Sequence, residues 1–150
     1  MSRLQRAILV RVVLFVAIVL GGCVSPVRID LTGTWEGTLL WTEGQSTGFR
    51  SPISLDLTHV DRDLSGTVIL MGPGSQPFDL TISGGRTSAR SIRVEASGVI
   101  DQIDPPLSVS ISLDGDFDET RMSGTGSQTF AGSTYEFTWE MVRISGPPEP

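Results

Sequence analysis

Between Leu31 and Met141 the apolar residues recur at every second position, stretch after stretch. Leu31, Gly33, Trp35, Gly37, Leu39 and Trp41 share one face of an extended chain, with Thr32, Thr34, Glu36 and Thr38 opposite. Successive side chains of a strand point to opposite faces, so this pattern buries one side of a sheet and wets the other. It returns at Ile53, Leu55 and Leu57; at Leu64, Gly66, Val68 and Leu70; and at Phe78, Leu80 and Ile82. Later stripes are Ile92, Val94 and Ala96; Leu107, Val109, Ile111 and Leu113; Met122, Gly124 and Gly126; and Tyr135, Phe137, Trp139 and Met141. About eight half-buried strands at this spacing describe a sandwich or a barrel. No segment carries a helical period, so an all-β fold without substantial helix is expected.

Turn residues separate the stripes. Asp61-Arg62-Asp63, Gly84-Gly85 and Asp114-Gly115-Asp116-Phe117-Asp118-Glu119 are read as turns, as are Gly72-Pro73-Gly74, Asp104-Pro105-Pro106 and Ala131-Gly132-Ser133. Short connections imply an antiparallel up-and-down meander, and closing it into a barrel removes the exposed edges. Leu31-Thr32-Gly33-Thr34, Leu64-Ser65-Gly66-Thr67 and Met122-Ser123-Gly124-Thr125 repeat one local pattern at unequal spacings. A glycine there relieves the bend of a small barrel, so the repeat reads as recurring hairpin geometry.

The N-terminus is built differently. Arg3, Arg6 and Arg11 precede an unbroken apolar run from Val12 to Leu20, then Gly21-Gly22 and Cys23. Charge, apolar stretch and small residues in that order are the plan of an export signal, and the run is too short and too close to Arg11 for a membrane span. Leu20-Gly21-Gly22-Cys23 resembles the lipobox of bacterial lipoproteins. That resemblance implies cleavage after Gly22 and a diacylglycerol on Cys23, with the membrane as a partner through this lipid. Val24 is not the aspartate that retains many such proteins at the inner membrane, which implies an outer-membrane anchor facing the periplasm in a Gram-negative cell. The divisions are then a signal peptide at 1–22, a lipidated start and short tether at 23–28, a barrel at 29–145 and a disordered tail at 146–150.

Removing the signal leaves 128 of the 150 residues, enough for one modest core. The signal holds three of the 11 basic residues and none of the 17 acidic ones, so the formal charge moves from −6 to −9. No lysine occurs and the arginines form no run, which argues against nucleic acid or an anionic lipid surface as a partner. Cys23 is the single cysteine, so no disulfide, thiolate zinc site or cysteine nucleophile is available to the lipidated protein.

Gly33-Thr34-Trp35 is similar to the first-strand Gly-x-Trp of lipocalin-like barrels and to the opening strand of the avidin family. The resemblance implies that Trp35 plugs a closed barrel end and that Arg143 packs across it. The sequence departs from these families in lacking a helix after the barrel and tryptophans on the middle strands, so a biotin pocket is not carried over.

No catalytic group, cofactor or metal is expected. His59 lies at a strand end without a nucleophile motif and reads as a surface histidine. Asp114, Asp116 and Asp118 have calcium-loop spacing, but Glu119 and Thr125 replace the required glycine and glutamate, so a solvated hairpin is favoured. Glu136 and Glu140 oppose the aromatic stripe and should face water. The interior stripe is the candidate site. Trp35, Leu39, Trp41, Phe78, Phe137, Trp139 and Met141 either line a cup for a small apolar or amphipathic ligand or fill the barrel as core. The filled alternative would work through its outer surface, as an accessory or inhibitor subunit of an envelope protein complex. Leu40, Ile69, Met71, Val142 and Ile144 are its candidate apolar patch.

Overall fold

The computed structural model describes residues 28–71 and 75–146. The signal peptide, Gly22, Cys23, residues 23–27 of the tether, the Gly72-Pro73-Gly74 turn and residues 147–150 lie outside the described residues. Eight strands form a closed antiparallel barrel in sequential order. They are β1 (Gly33–Trp41), β2 (Arg50–Val60), β3 (Asp63–Met71), β4 (Pro77–Ser88), β5 (Ser91–Ile100), β6 (Leu107–Phe117), β7 (Arg121–Phe130) and β8 (Ser133–Arg143). A 3-10 turn at Gly44–Ser46 lies in the β1–β2 loop.

Closure is made by β1, which pairs with β2 on one side and with β8 on the other, from Trp35↔Arg143 to Trp41↔Phe137. The alternation sets which face turns inward. Trp35 and Leu39 on β1, Leu55 on β2, Val68 on β3, Leu80 on β4, Val94 on β5, Leu113 on β6 and Phe137 on β8 are all buried. Glu36, Asp56, Asp79, Glu95 and Glu140 point outward. An apolar interior inside a charged wall is the reverse of a membrane-spanning barrel, whose lipid-facing surface is apolar.

Two of the expected turns are strand. Gly84-Gly85 lies within β4, where the β4–β5 register slips between Ile82 and Gly84. A Cβ on Gly85 would stand 2.6 Å from the Leu64 Cβ, so the glycine pair serves a bulge and a close approach to β3 rather than a reversal. The reversal comes at Ala89-Arg90, with Ala89 at φ 52°. Asp114 to Phe117 likewise continue β6, pairing with β5 as far as Ser91↔Asp116. The inward alternation Leu113, Gly115, Phe117 outweighs the turn-like composition, and Phe117 is buried.

The two ends differ. At one, Leu31 follows the entering chain inward and is fully buried beside Trp35, whose indole Nε1 donates to the Leu31 carbonyl over 2.9 Å. This closed end also carries the β2–β3, β4–β5 and β6–β7 turns. The opposite, open end carries the β1–β2, β3–β4, β5–β6 and β7–β8 connections.

Candidate functional site

The barrel interior below the open end is filled, and the fold shows how. β7 contributes glycines where its neighbour β8 contributes aromatics: Gly126 pairs with Phe137 and Gly124 with Trp139. A Cβ on Gly126 would lie 2.6 Å from the Phe137 ring, and one on Gly115 of β6 would lie 2.7 Å from Trp139. The room left by the glycines is therefore occupied by these rings. The Trp139 indole spends its N–H on the Thr125 carbonyl at 2.8 Å. Trp35, Phe78, Phe137, Trp139 and Met141 are core side chains, and of the seven cup candidates Leu39 and Trp41 alone line the open-end cleft.

That cleft has a volume of about 360 Å³. Its floor is Leu39 and Leu70, and its walls are Trp41, Phe49, Met71, Phe130 and Tyr135, with Ser46, Ser51 and Gln128 as the polar members. Local sequence explains the assembly. Ala131 and Gly132 both take positive φ, 50° and 77°, the two-residue reversal that suits the twist of a hairpin. This tight β7–β8 turn sets Phe130 against Tyr135 in a stacked pair with centroids 5.1 Å apart. Trp41 meets Phe137 edge-on at 5.3 Å and Tyr135 at 6.5 Å, both favourable aromatic geometries. Phe49 stands at the rim, 63% exposed.

No charged side chain lines the cleft. The arrangement can hold a small uncharged molecule by apolar contact and stacking, with Gln128 and Ser51 as hydrogen-bonding groups. A larger groove of about 500 Å³ lies on the outer wall beside the β4 bulge, but Leu64 and Ile82 are its sole large apolar lining residues. The chain matches no protein-family model, and no curated protein is similar to it.

The remaining candidates are placed as follows. Arg143 lies with its guanidinium carbon 4.7 Å from the centroid of the Trp35 ring, and its terminal nitrogen donates to the Asp30 carbonyl. His59 is no surface residue: its side chain is 8% exposed. The Leu31 N–H donates to Nδ1 at 3.2 Å, and Nε2 lies 3.1 Å from the Thr87 hydroxyl. With Nδ1 accepting, the proton sits on Nε2 and is donated to Thr87. The entering segment folds over the barrel end and covers the ring, which strand-by-strand reading does not anticipate. Beside it, burial pushes the Asp30 carboxyl up. The Thr32 hydroxyl and N–H, with the Arg143 charge, outweigh that and hold it below the ordinary carboxylate value.

The acidic trio is dispersed. Asp114 pairs with Arg93 at 2.6 Å, while Asp118 accepts the Thr120 and Arg121 N–H groups and the Thr120 hydroxyl. Glu136 and Glu140 are exposed on the outer wall. The apolar patch is divided: Met71 lies at the open end, Val142 and Ile144 at the closed end, and Leu40 and Ile69 are half-buried. Sequence reasoning missed Ser46, Phe49, Ser51, Leu70, Met71, Gln128, Phe130 and Tyr135 as cleft residues. Continuing the β7 alternation past Gly126 would have turned Gln128 and Phe130 inward.

Proposed function

We propose that this chain is a lipoprotein of the bacterial envelope, anchored through Cys23, whose barrel holds a small uncharged amphipathic molecule in its open-end cleft. The carrying observation is the charge-free aromatic cleft of about 360 Å³ over an otherwise filled barrel. Its size falls in the range of small-molecule sites, and Gln128 and Ser51 would orient the polar part of the guest. The lipobox supports the anchor, and Val24 supports the outer membrane, facing the periplasm, where the cell has one. Non-enzymatic binding fits a cleft whose lining includes no carboxylate, histidine, arginine or cysteine.

The test is native mass spectrometry of the mature chain from an exporting host, beside the Trp41→Ala and Gln128→Ala variants. A reproducible added mass, lost on denaturation and reduced in both variants, supports the reading. A bare mass that stays bare after incubation with envelope lipid extracts sinks it. The filled interior gives weight to a second reading, an accessory or inhibitor subunit of an envelope complex, in which Phe49 and Met71 on the rim would meet a protein. A bare mass together with loss of a co-purifying protein in Phe49→Ser would favour it.

A further inference from the structure

Gln128 breaks the rule of the barrel interior. The alternation along β7 turns it inward with Gly126 and Phe130, so a carboxamide stands where the other strands place apolar side chains. Inward-facing polar groups elsewhere are spent within the protein. The Trp35 and Trp139 indoles donate to the Leu31 and Thr125 carbonyls, and His59 uses both ring nitrogens on Leu31 and Thr87. Gln128 is half-buried, and among the described residues its side chain has no hydrogen-bond partner. A polar side chain on a core-facing position, left unspent by the fold, points to a partner from outside.

Open to solvent, the amide is satisfied by water. A guest that fills the cleft displaces that water and must supply what the amide then lacks. A carboxamide presents a C=O acceptor and N–H donors side by side in one plane. Ser51 and Tyr135 also line the cleft without a side-chain bond, but a hydroxyl rotates to suit whatever it meets. Gln128 is therefore the group that discriminates. An ester, ether or ketone answers its N–H and leaves its carbonyl bare. An open-chain secondary amide, being trans, points its own N–H and C=O to opposite sides. A primary amide or a lactam offers both on one edge. A carboxylate or an amidinium would enter a lining that holds no opposite charge.

The surroundings favour a ring. Gln128 is the register partner of Tyr135, whose ring stacks on Phe130 at 5.1 Å and meets Trp41 edge-on at 6.5 Å. Aromatic faces and edges thus stand beside the amide, and a flat, rigid guest loses little freedom among them.

We propose that the guest of the cleft is a neutral, flat lactam whose N–H and C=O edge pairs with the Gln128 carboxamide, its ring lying among Trp41, Phe130 and Tyr135. This deepens the reading of the cleft as a small-molecule site and rests on it. The aromatic walls supply the attraction, and Gln128 selects which ring is kept.

Three bicyclic probes of similar size test this. Carbostyril carries the lactam edge, N-methylcarbostyril keeps the carbonyl but loses the N–H, and naphthalene has neither group. Dissociation constants are read by ligand-observed NMR on the mature chain, with protein-free detergent as the blank. Carbostyril should bind about tenfold tighter than N-methylcarbostyril, which leaves the Gln128 carbonyl bare. In Gln128→Met, close in shape without the amide, and in Gln128→Leu, the two carbostyrils should bind alike. Naphthalene binding retained in these variants shows that the cleft is intact. Equal binding of the two carbostyrils by the parent chain, or a preference that survives both substitutions, overturns the proposal, while naphthalene binding leaves the cleft reading standing. If none of the three binds, the cleft reading falls and this inference falls with it.

Discussion

Arg143, the last residue of β8, lies with its guanidinium carbon 4.7 Å from the centre of the Trp35 ring on β1. The two are also register partners across the strand pair that closes the barrel. One contact thus unites a cation over an aromatic face, a plug at the closed end and the seam of the sheet. Arg143 also ties down the entering chain by donating to the Asp30 carbonyl.

Arg143→Lys keeps the charge but loses the planar stack, and should cost about 1 kcal/mol; Arg143→Ala should cost about 2 kcal/mol or more. Trp35→Phe should remove most of the difference between the arginine and lysine forms. Urea denaturation of the four variants measures this, and equal stabilities for Arg143 and Lys in the Trp35 background would refute the stacking account.

His59 and Thr87 should be coupled. His59→Ala strands the Leu31 N–H and opens space under the entering segment, for a loss of roughly 1–3 kcal/mol. Thr87→Val should cost about 1 kcal/mol by orphaning the imidazole Nε2–H. A double-mutant cycle should return a coupling of roughly 0.5–1.5 kcal/mol, and a value near zero would mean the 3.1 Å approach carries no bond.

Gly126→Ala should destabilise by roughly 1–3 kcal/mol, since the new methyl meets the Phe137 ring and the Ser112 carbonyl. Gly146→Ala, with nothing within 4 Å of the added Cβ, should be close to neutral. Thermal melts of the pair distinguish a filled barrel from one with room beside β7: a harmless Gly126→Ala would point to unfilled space.

The eight strands were legible because each alternates by itself, and a period of two needs no knowledge of the partner strand. The choice between cup and core was not. Gly126 leaves room only until Phe137 on the next strand enters it, and which residue faces which is set by register, not by local composition. Asp114 to Phe117 mislead for a related reason: Asp-Gly-Asp reads as a turn, while pairing with β5 holds it extended. His59 looks solvated in its own strand because the covering residue, Leu31, is 28 positions away.

Acid should loosen the closed end. The Thr120 and Arg121 backbone N–H groups, with the Thr120 hydroxyl, hold the Asp118 carboxyl below its ordinary value, and Asp30 is lowered as well. A carboxylate whose folded value is depressed stabilises the fold above the unfolded value, near 3.9 for about the average aspartate. That contribution disappears as pH falls through the lower folded value. Asp118→Asn should therefore flatten the fall in stability below about pH 4 relative to the parent chain. Denaturant midpoints at pH 3 to 6, read at about half-unit steps, measure the slope, and parallel curves would refute the assignment.

Eight is an even number, and an up-and-down barrel of even strand count returns the chain to the end where it entered. The Ile144 N–H donates to the Thr34 carbonyl at 2.8 Å, so the first and last described strands leave side by side. A short linker could join those neighbours while new termini are cut at the exposed Thr42–Glu43 step, giving a circular permutant with the same wall. Such a permutant would present its tether beside the aromatic cleft instead of opposite it, turning the barrel upside down on whatever surface carries it.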